Sequence, residues 1–530
     1  MPAVTTYDYV VVGGGTAGCV LAARLSENPD VTVLLLEAGG DERRPDVETP
    51  GAWPALLGSD ADWRYETTRQ EVTGRAVPAP RGRLLGGSGS INVMAHLRGH
   101  RADFDGWAES GAKGWDYDNV LPYFMRSEDV PGGDPGYRGR GGPLTPRPIA
   151  SPHPLTDAHV EAARRAGHRV AADLNDGQLS GAGRHDLLIV DGRRQSTATA
   201  YLRPAMDRPN LTVHTGAVAR HLVVSNGRCV GVAYRWDGRP ERAAASEEVV
   251  LTAGAVGSPR LLMLSGLGPE GELRALGIEP VADLPGIGRN LQDHILLAGI
   301  RVRAERPLPP PSGNYAESTL FAKTDAAQVA PELQILQVQV DYHLPWQSPA
   351  GNAFSFGVGH MRPRSRGSVR LASADPDVAP LIDPRYLSDD HDNDQLIAGI
   401  EEVHRLVGTG AFDEWGVRSQ TEDLLRLDRS ALELAVRNAV SSFFHLSGTC
   451  RMGAGGDAVV DPELRVHGVR GLRVADASVM PTIVSCNTNA ATVMIAEKAA
   501  DLLRGRSAPT SGDVATPRRV VRTASRRNAT

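Results

Sequence analysis

A glycine-rich loop and an acidic residue near the start of the chain are spaced to bind a dinucleotide. Residues 13–18 read GGGTAG, which fits the pattern GxGxxG, and Glu37 ends the next predicted strand. Gly13 permits a tight turn, Gly15 lets the backbone approach a pyrophosphate, and Gly18 allows close helix packing. The start of the following helix supplies N–H groups to the anion, and Glu37 accepts hydrogen bonds from ribose hydroxyls. A glycine turn that binds no ligand is the alternative. If a dinucleotide does bind, the motif does not distinguish FAD from NAD.

The elements around this loop form a predicted βαβ unit. Residues 7–12 are typical of a strand, an Ala/Leu-rich helix runs to about Ser26, and a second strand spans residues 31–36. Similar strand-then-glycine patterns recur at residues 248–254 and 472–477, so distant segments are expected to assemble the nucleotide-binding layer.

Further elements are predicted in the second half of the chain. Residues 333–340 and 354–358 are typical of strands and residues 387–407 of a helix, which indicates an α+β substrate domain. The segment 254–268 predicts a strand exit, a helix begun by Pro259 and a glycine stop.

Composition excludes several classes of protein. Hydrophobic residues make up 41% of the 530 residues and charged residues 23%, as in soluble globular proteins. The net charge of −6 gives no basic surface for nucleic acid. The four cysteines form no CxxC pair, so neither a metal site nor a disulfide framework is predicted. No signal peptide or membrane-spanning run is visible, and we expect a cytoplasmic protein.

Several segments resemble the glucose-methanol-choline (GMC) oxidoreductase family. Residues 81–107, which begin RGRLLGGSGSIN, and residues 254–268 match the two signatures of that family almost position for position. The stretches 284–294, 365–367 and 476–481 are also similar to it, in the right order. The resemblance spans about residues 5–505 and implies FAD as the cofactor.

The resemblance also implies an architecture. We expect a Rossmann-like α/β FAD-binding domain interwoven with an α+β substrate domain that contains an antiparallel sheet. The predicted FAD-binding segments are 1–150, 205–305 and 450–506, and the substrate-binding segments are 151–204 and 306–449. Residues 507–530 lack large apolar side chains, and their composition predicts a disordered tail.

The resemblance further identifies a catalytic pair. The segment FHLSGTCRMG, residues 444–453, looks like the active-site histidine segment of the family, with Leu446 where a proline is usual. Asn489 matches the second active-site position, which is histidine or asparagine. An alcohol loses hydride only if its O–H proton also leaves, and a neutral imidazole is suited to take that proton. His445 is therefore predicted as the base and Asn489 as the residue that orients the substrate oxygen. His294 is interpreted as structural.

The predicted FAD contacts come from the loop and the family-like segments. They are Gly13, Gly15, Thr16, Ala17, Gly18, Glu37, Ala38, Trp63, Arg83, Gly87, Ser88, Asn92, Val93, Met94, Ala95, Val218, Ala253, Asp476, Ala477 and Thr488. Some relatives attach FAD covalently through a histidine at the position of Ile91, so FAD is expected to be non-covalent here.

The resemblance implies a small alcohol or sugar as the substrate, and oxygen or another acceptor is expected to take the electrons. Glu317 aligns approximately with an acid that binds the trimethylammonium group in relatives that oxidise choline, although a structural role is the alternative. Aromatic and imidazole side chains that suit an apolar or aromatic alcohol are His343, Trp346, Phe443 and Phe444, with Tyr342 beside them. Phe443 would restrict oxygen and favour a dehydrogenase.

Three other functions remain open at this point. The first is lyase chemistry on a hydroxyl-bearing substrate, with no net redox change of the flavin. The second is flavin binding without catalysis, and the third is use of NAD through the glycine loop. Bleaching of the flavin by a substrate separates alcohol oxidation from the first two, and a yellow purified protein excludes the third.

Overall fold

The computed structural model describes residues 4–344 and 348–506. Trp346 and the predicted tail 507–530 lie outside these residues. The strands are β1 (Thr5–Val12), β2 (Val33–Leu36), β3 (Gly181–Arg184), β4 (Ile189–Val190), β5 (Arg193–Arg194), β6 (Leu211–His214), β7 (Val218–Ser225), β8 (Arg228–Trp236), β9 (Arg239–Leu251), β10 (Leu267–Gly268), β11 (Ala282–Asp283), β12 (Ile295–Ala304), β13 (Ser318–Ala322), β14 (Leu333–Val338), β15 (Ala353–His360), β16 (Ser368–Arg370), β17 (Leu381–Asp383), β18 (Val417–Ser419), β19 (Val440–Ser442) and β20 (Leu472–Val474).

The helices are α1 (Thr16–Leu25), α2 (Pro45–Glu48), α3 (Trp53–Leu56), α4 (Arg101–Glu109), α5 (Tyr117–Ser127), α6 (Pro154–Arg165), α7 (Gly254–Leu264), α8 (Glu270–Ala275), α9 (Asp390–Val407), α10 (Thr421–Leu424), α11 (Arg429–Ala439) and α12 (Asn489–Leu503). Single turns of other helix types lie at Pro50–Ala52, Gly87–Ser90, Ala198–Leu202, Arg203–Ala205, Asp413–Trp415 and Ala477–Val479.

The first sheet carries the predicted βαβ unit. Its seven strands run in the order β6-β2-β1-β9-β8-β7, with β20 also paired to β9. The pairs β1–β2, β1–β9, β2–β6 and β9–β20 are parallel. Apolar runs such as Val10–Val12 and Val33–Leu36 are buried, as expected for parallel strands covered on both faces. Helix α1 packs against α12 on this sheet.

The second sheet is antiparallel and also has seven strands. The order is β18-β12-β15-β14-β13-β3, with β19 paired to β12. Every residue of β15 is buried, and α9 packs against it. Two sheets of these types confirm the predicted fold class, a Rossmann-like layer combined with an antiparallel sheet.

The predicted boundary between the FAD-binding and substrate-binding segments separates β12 from the strands with which it pairs. Residues 205–305 were assigned to the FAD-binding domain, yet β12 lies in this segment and pairs with β15, β18 and β19 of the second sheet. The apolar run of β12 does not reveal its partners, because pairing depends on residues far away in sequence. The remaining domain bounds stay a prediction.

The helix expected to begin at Pro259 begins earlier, at Gly254, so this part of the prediction was wrong. Proline inside a helix has no N–H for the carbonyl four residues before it. That carbonyl belongs to Ala255, and it accepts a hydrogen bond of 2.7 Å from the Thr449 hydroxyl. The side chain of Thr449 thus replaces the missing donor and lets α7 continue through Pro259.

Candidate active site

The glycine loop forms a bare cradle between β1 and α1. Gly13 has φ +108°, and a Cβ atom on Gly18 would lie 1.9 Å from the Gly13 carbonyl oxygen. No side chain caps the start of α1 at Gly15. The first N–H groups of the helix are therefore available to an anion such as a pyrophosphate.

The small-residue segment 81–92 packs directly on this loop. A Cβ atom on Gly87 would lie 2.7 Å from the Cα atom of Gly15. The Gly86 N–H donates to the Gly14 carbonyl at 2.8 Å. Two glycine segments therefore meet where any side chain would fill the cradle.

Glu37 lies at the end of β2 beside the loop. Its two carboxylate oxygens accept backbone N–H groups, from Gly14 at 2.8 Å and from Gly39 at 2.7 Å. Burial raises the pKa of Glu37 to about 7, although both backbone hydrogen bonds act in the opposite direction. The carboxylate oxygens keep further lone pairs that can accept ribose hydroxyls.

A cavity of about 330 Å³ runs from this cradle to His445. It brings together most of the predicted cofactor residues, namely Gly13, Gly15, Thr16, Ala17, Glu37, Ala38, Trp63, Gly87, Ser88, Asn92, Val93, Ala95, Val218, Ala253, Asp476, Ala477 and Thr488. Gly18, Arg83 and Met94 do not line it. The bare helix start, the glycine cradle and Glu37 together fit a dinucleotide such as FAD.

The backbone around His445 is fixed by one buried carboxylate. Asp293 accepts hydrogen bonds from the His445 N–H at 2.7 Å and from the Ser442 hydroxyl at 2.5 Å. The Tyr386 hydroxyl also donates to it, at 2.5 Å. Phe444 takes the left-handed backbone conformation, with φ +67°. This conformation costs free energy in a residue other than glycine, and the surrounding hydrogen bonds must offset that cost.

The two ring nitrogens of His445 have different partners. Its Nδ1 lies 2.8 Å from Nδ1 of His294, and its Nε2 lies 3.3 Å from Nδ2 of Asn487. The Asn487 oxygen accepts from Gln334 at 3.3 Å, which orients the amide so that its NH₂ group faces His445. Because an amide NH₂ group only donates, Nε2 of His445 is the acceptor and its proton sits on Nδ1. Nδ1 of His294 then accepts a hydrogen bond from the His445 Nδ1–H, and His294 carries its own proton on Nε2.

Burial lowers the pKa of His445 well below 6.5, and the nearby His294 and Arg81 act in the same direction. Burial likewise lowers the pKa of His294 to about 3. Both rings are therefore neutral at physiological pH. The Nε2 lone pair of His445 lies at the cavity, where a substrate hydroxyl can take the place of the Asn487 NH₂ group as its hydrogen-bond donor.

Asn489, the other predicted catalytic residue, is the first residue of α12 and lines the same cavity. Its Oδ1 atom is buried and has no hydrogen-bond partner among the described residues. Leaving a buried carbonyl oxygen without a hydrogen bond costs free energy, so this atom is suited to accept a hydrogen bond from a hydroxyl group of a bound molecule.

The predicted substrate residues divide into two groups. Phe443 and Phe444 line the cavity, whereas Glu317 and His343 do not. The Glu317 carboxylate accepts hydrogen bonds from the His153 N–H and the Thr156 hydroxyl, at 2.8 and 2.9 Å. His343 is partly exposed, and its Nδ1 lies 2.9 Å from the carbonyl oxygen of Asp341.

Sequence reasoning missed two contacts of the base. His294 was interpreted as structural, yet its ring touches the His445 ring, and Asn487 was not singled out. Asn487 stands two residues before Asn489 at the entry to α12, and this spacing was an available signal. The position of His294 next to Asp293 gave no such signal.

The described residues show neither a metal-binding cluster nor a membrane-spanning helix. Within 4–344 and 348–506, no cluster of three or more His, Cys, Asp and Glu side chains is arranged to hold a metal ion. None of the helices in the same ranges has the length and apolar character needed to cross a membrane.

Comparison with known proteins gives consistent results. Two GMC oxidoreductase family models match residues 7–296 and 363–496. The oxygen-dependent choline dehydrogenase of Brucella suis is 38% identical over 534 residues, covering 94% of this chain and 96% of the relative. The mitochondrial choline dehydrogenase of Homo sapiens is 39% identical over 547 residues, covering 96% and 91%.

A solved structure is also similar. The pyridoxine 4-oxidase of Mesorbium loti superposes with a TM-score of 0.90 at 37% identity, covering 94% of this chain and 100% of that one. GMC oxidoreductases bind FAD, which identifies the cofactor of this cavity. The chain therefore belongs to the GMC oxidoreductase family and is an FAD-dependent oxidoreductase that acts on CH–OH groups.

Proposed function

We propose that the protein oxidises a primary or secondary alcohol to the aldehyde or ketone, with His445 as the general base. The observation that carries this proposal is the pair of contacts on the His445 ring. Nδ1 is bound to His294, while Nε2 faces an amide donor at the cavity and is unprotonated. A lone pair held in this way can take the hydroxyl proton of an alcohol.

Asn489 and the glycine cradle supply the other parts of the proposed site. Bound FAD would supply the acceptor, flavin N5, for the hydride that leaves the substrate carbon. The glycine cradle and Glu37 hold its nucleotide end, without a covalent bond at Ile91. The Asn489 amide orients the substrate oxygen so that its proton points to His445.

Uptake of the proton changes one of the two contacts of the His445 ring. The resulting imidazolium carries a proton on both ring nitrogens, and its Nδ1–H still donates to neutral His294. The Asn487 NH₂ group, in contrast, loses its acceptor when Nε2 is protonated. Because burial disfavours the charged form, the proton is readily released when product leaves.

The test is anaerobic bleaching of the FAD absorbance by a panel of alcohols, in the wild type and in His445→Ala and His445→Gln. We expect the wild type to be bleached and both variants to retain FAD but to bleach at least about 100-fold more slowly. A matched control is His159→Gln, since His159 is also buried but contacts Ser318 and not the cavity.

Two results would contradict this function. A yellow wild type that no alcohol bleaches would favour lyase chemistry, in which the flavin undergoes no net redox change. Bleaching of His445→Ala at the wild-type rate would show that another group takes the proton. Admission of air after bleaching then separates an oxidase from a dehydrogenase by the rate at which colour returns.

A further inference from the structure

We propose that the site takes an uncharged alcohol with an apolar or aromatic body and selects against a quaternary ammonium alcohol. The inference rests on the proposed alcohol oxidation and names its substrate class. It departs from the similarity to choline dehydrogenases, and it follows from the side chains around His445.

The face of the second sheet that borders the cavity is apolar. Its floor consists of Leu296, Leu336, Val338 and Gly357, all of which line the cavity. A Cβ atom on Gly357 would lie 3.2 Å from a methyl carbon of Leu296 and 4.0 Å from Cβ of Leu336, so these residues are in contact. Leu296 also stands two residues after His294, which places this apolar floor beside the base.

Aromatic rings cover the apolar floor on two sides. The Phe443 ring lies parallel to the His445 ring, with centroids 4.8 Å apart, and packs over the bare backbone of Gly359. The rings of Trp53 and Tyr342 lie 6.3 Å apart, and both line the cavity. Such surfaces suit a planar or branched apolar body.

No carboxylate faces this end of the cavity in the described part of the chain. Its acidic lining residues are Glu37 and Asp476, which follow strands β2 and β20 of the first sheet. Asp476 accepts hydrogen bonds from the Gly254 N–H at 2.9 Å and the Ser258 hydroxyl at 2.6 Å. Neither acid is available to a substrate cation at His445.

Three other carboxylates lie outside the cavity lining. Asp293 holds the backbone of His445, and Glu317 holds the His153 segment. Asp341 accepts from the Ala350 N–H through Oδ2, while its Oδ1 has no partner among the described residues. Because none of the three lines the cavity, a cation there gains a counter-ion only if the surrounding side chains rearrange.

The charged group that does act on His445 is positive. Arg81 lines the cavity and helps to lower the pKa of His445, and two of its guanidinium nitrogens have no partner among the described residues. An ammonium group near His445 would meet this repulsion and would lose its hydration without gaining a counter-ion. The aromatic rings offset part of this cost by cation–π attraction.

The test compares choline with 3,3-dimethylbutan-1-ol, which has the same shape but a carbon in place of the ammonium nitrogen. The dissociation constants of both are measured with the FAD-loaded His445→Ala protein by the change in flavin absorbance. We expect the neutral alcohol to bind about tenfold more tightly, or better, which corresponds to 1.4 kcal/mol. Equal or tighter binding of choline would overturn the proposal and would assign the cation to the aromatic rings.

A gain-of-charge pair tests the role of the apolar floor directly. Leu296→Glu places a carboxylate beside the base, and Leu296→Gln is the uncharged variant of nearly the same shape. We expect Leu296→Glu to shift the preference toward choline by about tenfold or more relative to Leu296→Gln. An unchanged preference in Leu296→Glu would overturn the electrostatic argument.

The two proposals fail in different ways. If no alcohol bleaches the wild-type flavin, alcohol oxidation is refuted, while the ratio of dissociation constants still decides the substrate class. If choline bleaches the flavin with a higher kcat/KM than the neutral alcohol, the substrate class is refuted and alcohol oxidation stands.

Discussion

Replacing His294 with alanine tests how the base is held in its reactive tautomer. His294 is fully buried, and its Nδ1 lies 2.8 Å from Nδ1 of His445. Since both rings are neutral, this contact holds the His445 proton on Nδ1 and leaves Nε2 unprotonated. Without His294, only the Asn487 NH₂ group disfavours a proton on Nε2, so a larger fraction of His445 carries its proton there and cannot take up the substrate proton.

The expected size follows from the lost hydrogen bond. The variant leaves the buried Nδ1–H of His445 without an acceptor, which costs about 1–3 kcal/mol. If this cost destabilises the reactive tautomer, kcat falls by roughly 5-fold to 150-fold. His294→Asn retains an oxygen close to the position of Nδ1 and should restore part of the loss.

The assay is stopped-flow bleaching of FAD at saturating alcohol, measured against pH for each variant. His159→Ala is the matched control, because it removes an equally buried histidine whose Nδ1 lies 3.0 Å from the Ser318 hydroxyl. We expect that control to lower stability but to leave kcat within about twofold of the wild type. A purely structural role for His294 would lower stability in both alanine variants and kcat in neither.

The reasoning is refuted if His294→Ala retains FAD and turns over at the wild-type rate. It is also refuted if His294→Asn is no faster than His294→Ala while unfolding at the same temperature. In that case the contact between the two rings would not set the tautomer of His445.

Two further predictions concern acid pH and helix α7. Burial lowers the pKa of His445, and the neutral form is the base. We therefore expect kcat/KM to stay constant as pH falls through 6.5 and to decline only below it. A pH–rate profile with its acid midpoint at or above 6.5 would contradict this. Thr449→Val should destabilise the holoenzyme by about 1–3 kcal/mol, since the Ala255 carbonyl loses its donor. Thr449→Ser keeps the hydroxyl and should not destabilise it. Thermal unfolding that does not separate the two variants would refute the role of the hydroxyl.

Local signals in the sequence predict the elements that hold the cofactor. The alternation from a β-rich run to glycines and an Ala/Leu-rich helix requires only neighbouring residues, and β1, α1 and β2 lie within a few residues of the predicted bounds. Family resemblance, rather than periodicity, singled out His445 and Asn489. Their chemical roles stay a proposal.

Long-range contacts are the part that the sequence does not reveal. His294 and His445 are 151 positions apart, and nothing near either residue encodes the contact between their rings. The extension of α7 through Pro259 depends in the same way on Thr449, which is 194 positions from Ala255. Both contacts exist because tertiary packing brings the partners together.

The adjacency of Asp293 and His294 has a consequence for engineering this enzyme. The first residue fixes the backbone of the base and the second fixes its ring, and β12 begins immediately afterwards with the residues that lead into the apolar floor. The base and one residue of the apolar floor, Leu296, are thus held by the start of the same strand. Side chains of the apolar floor can be exchanged to admit new alcohols while the distance from the base to the substrate stays set.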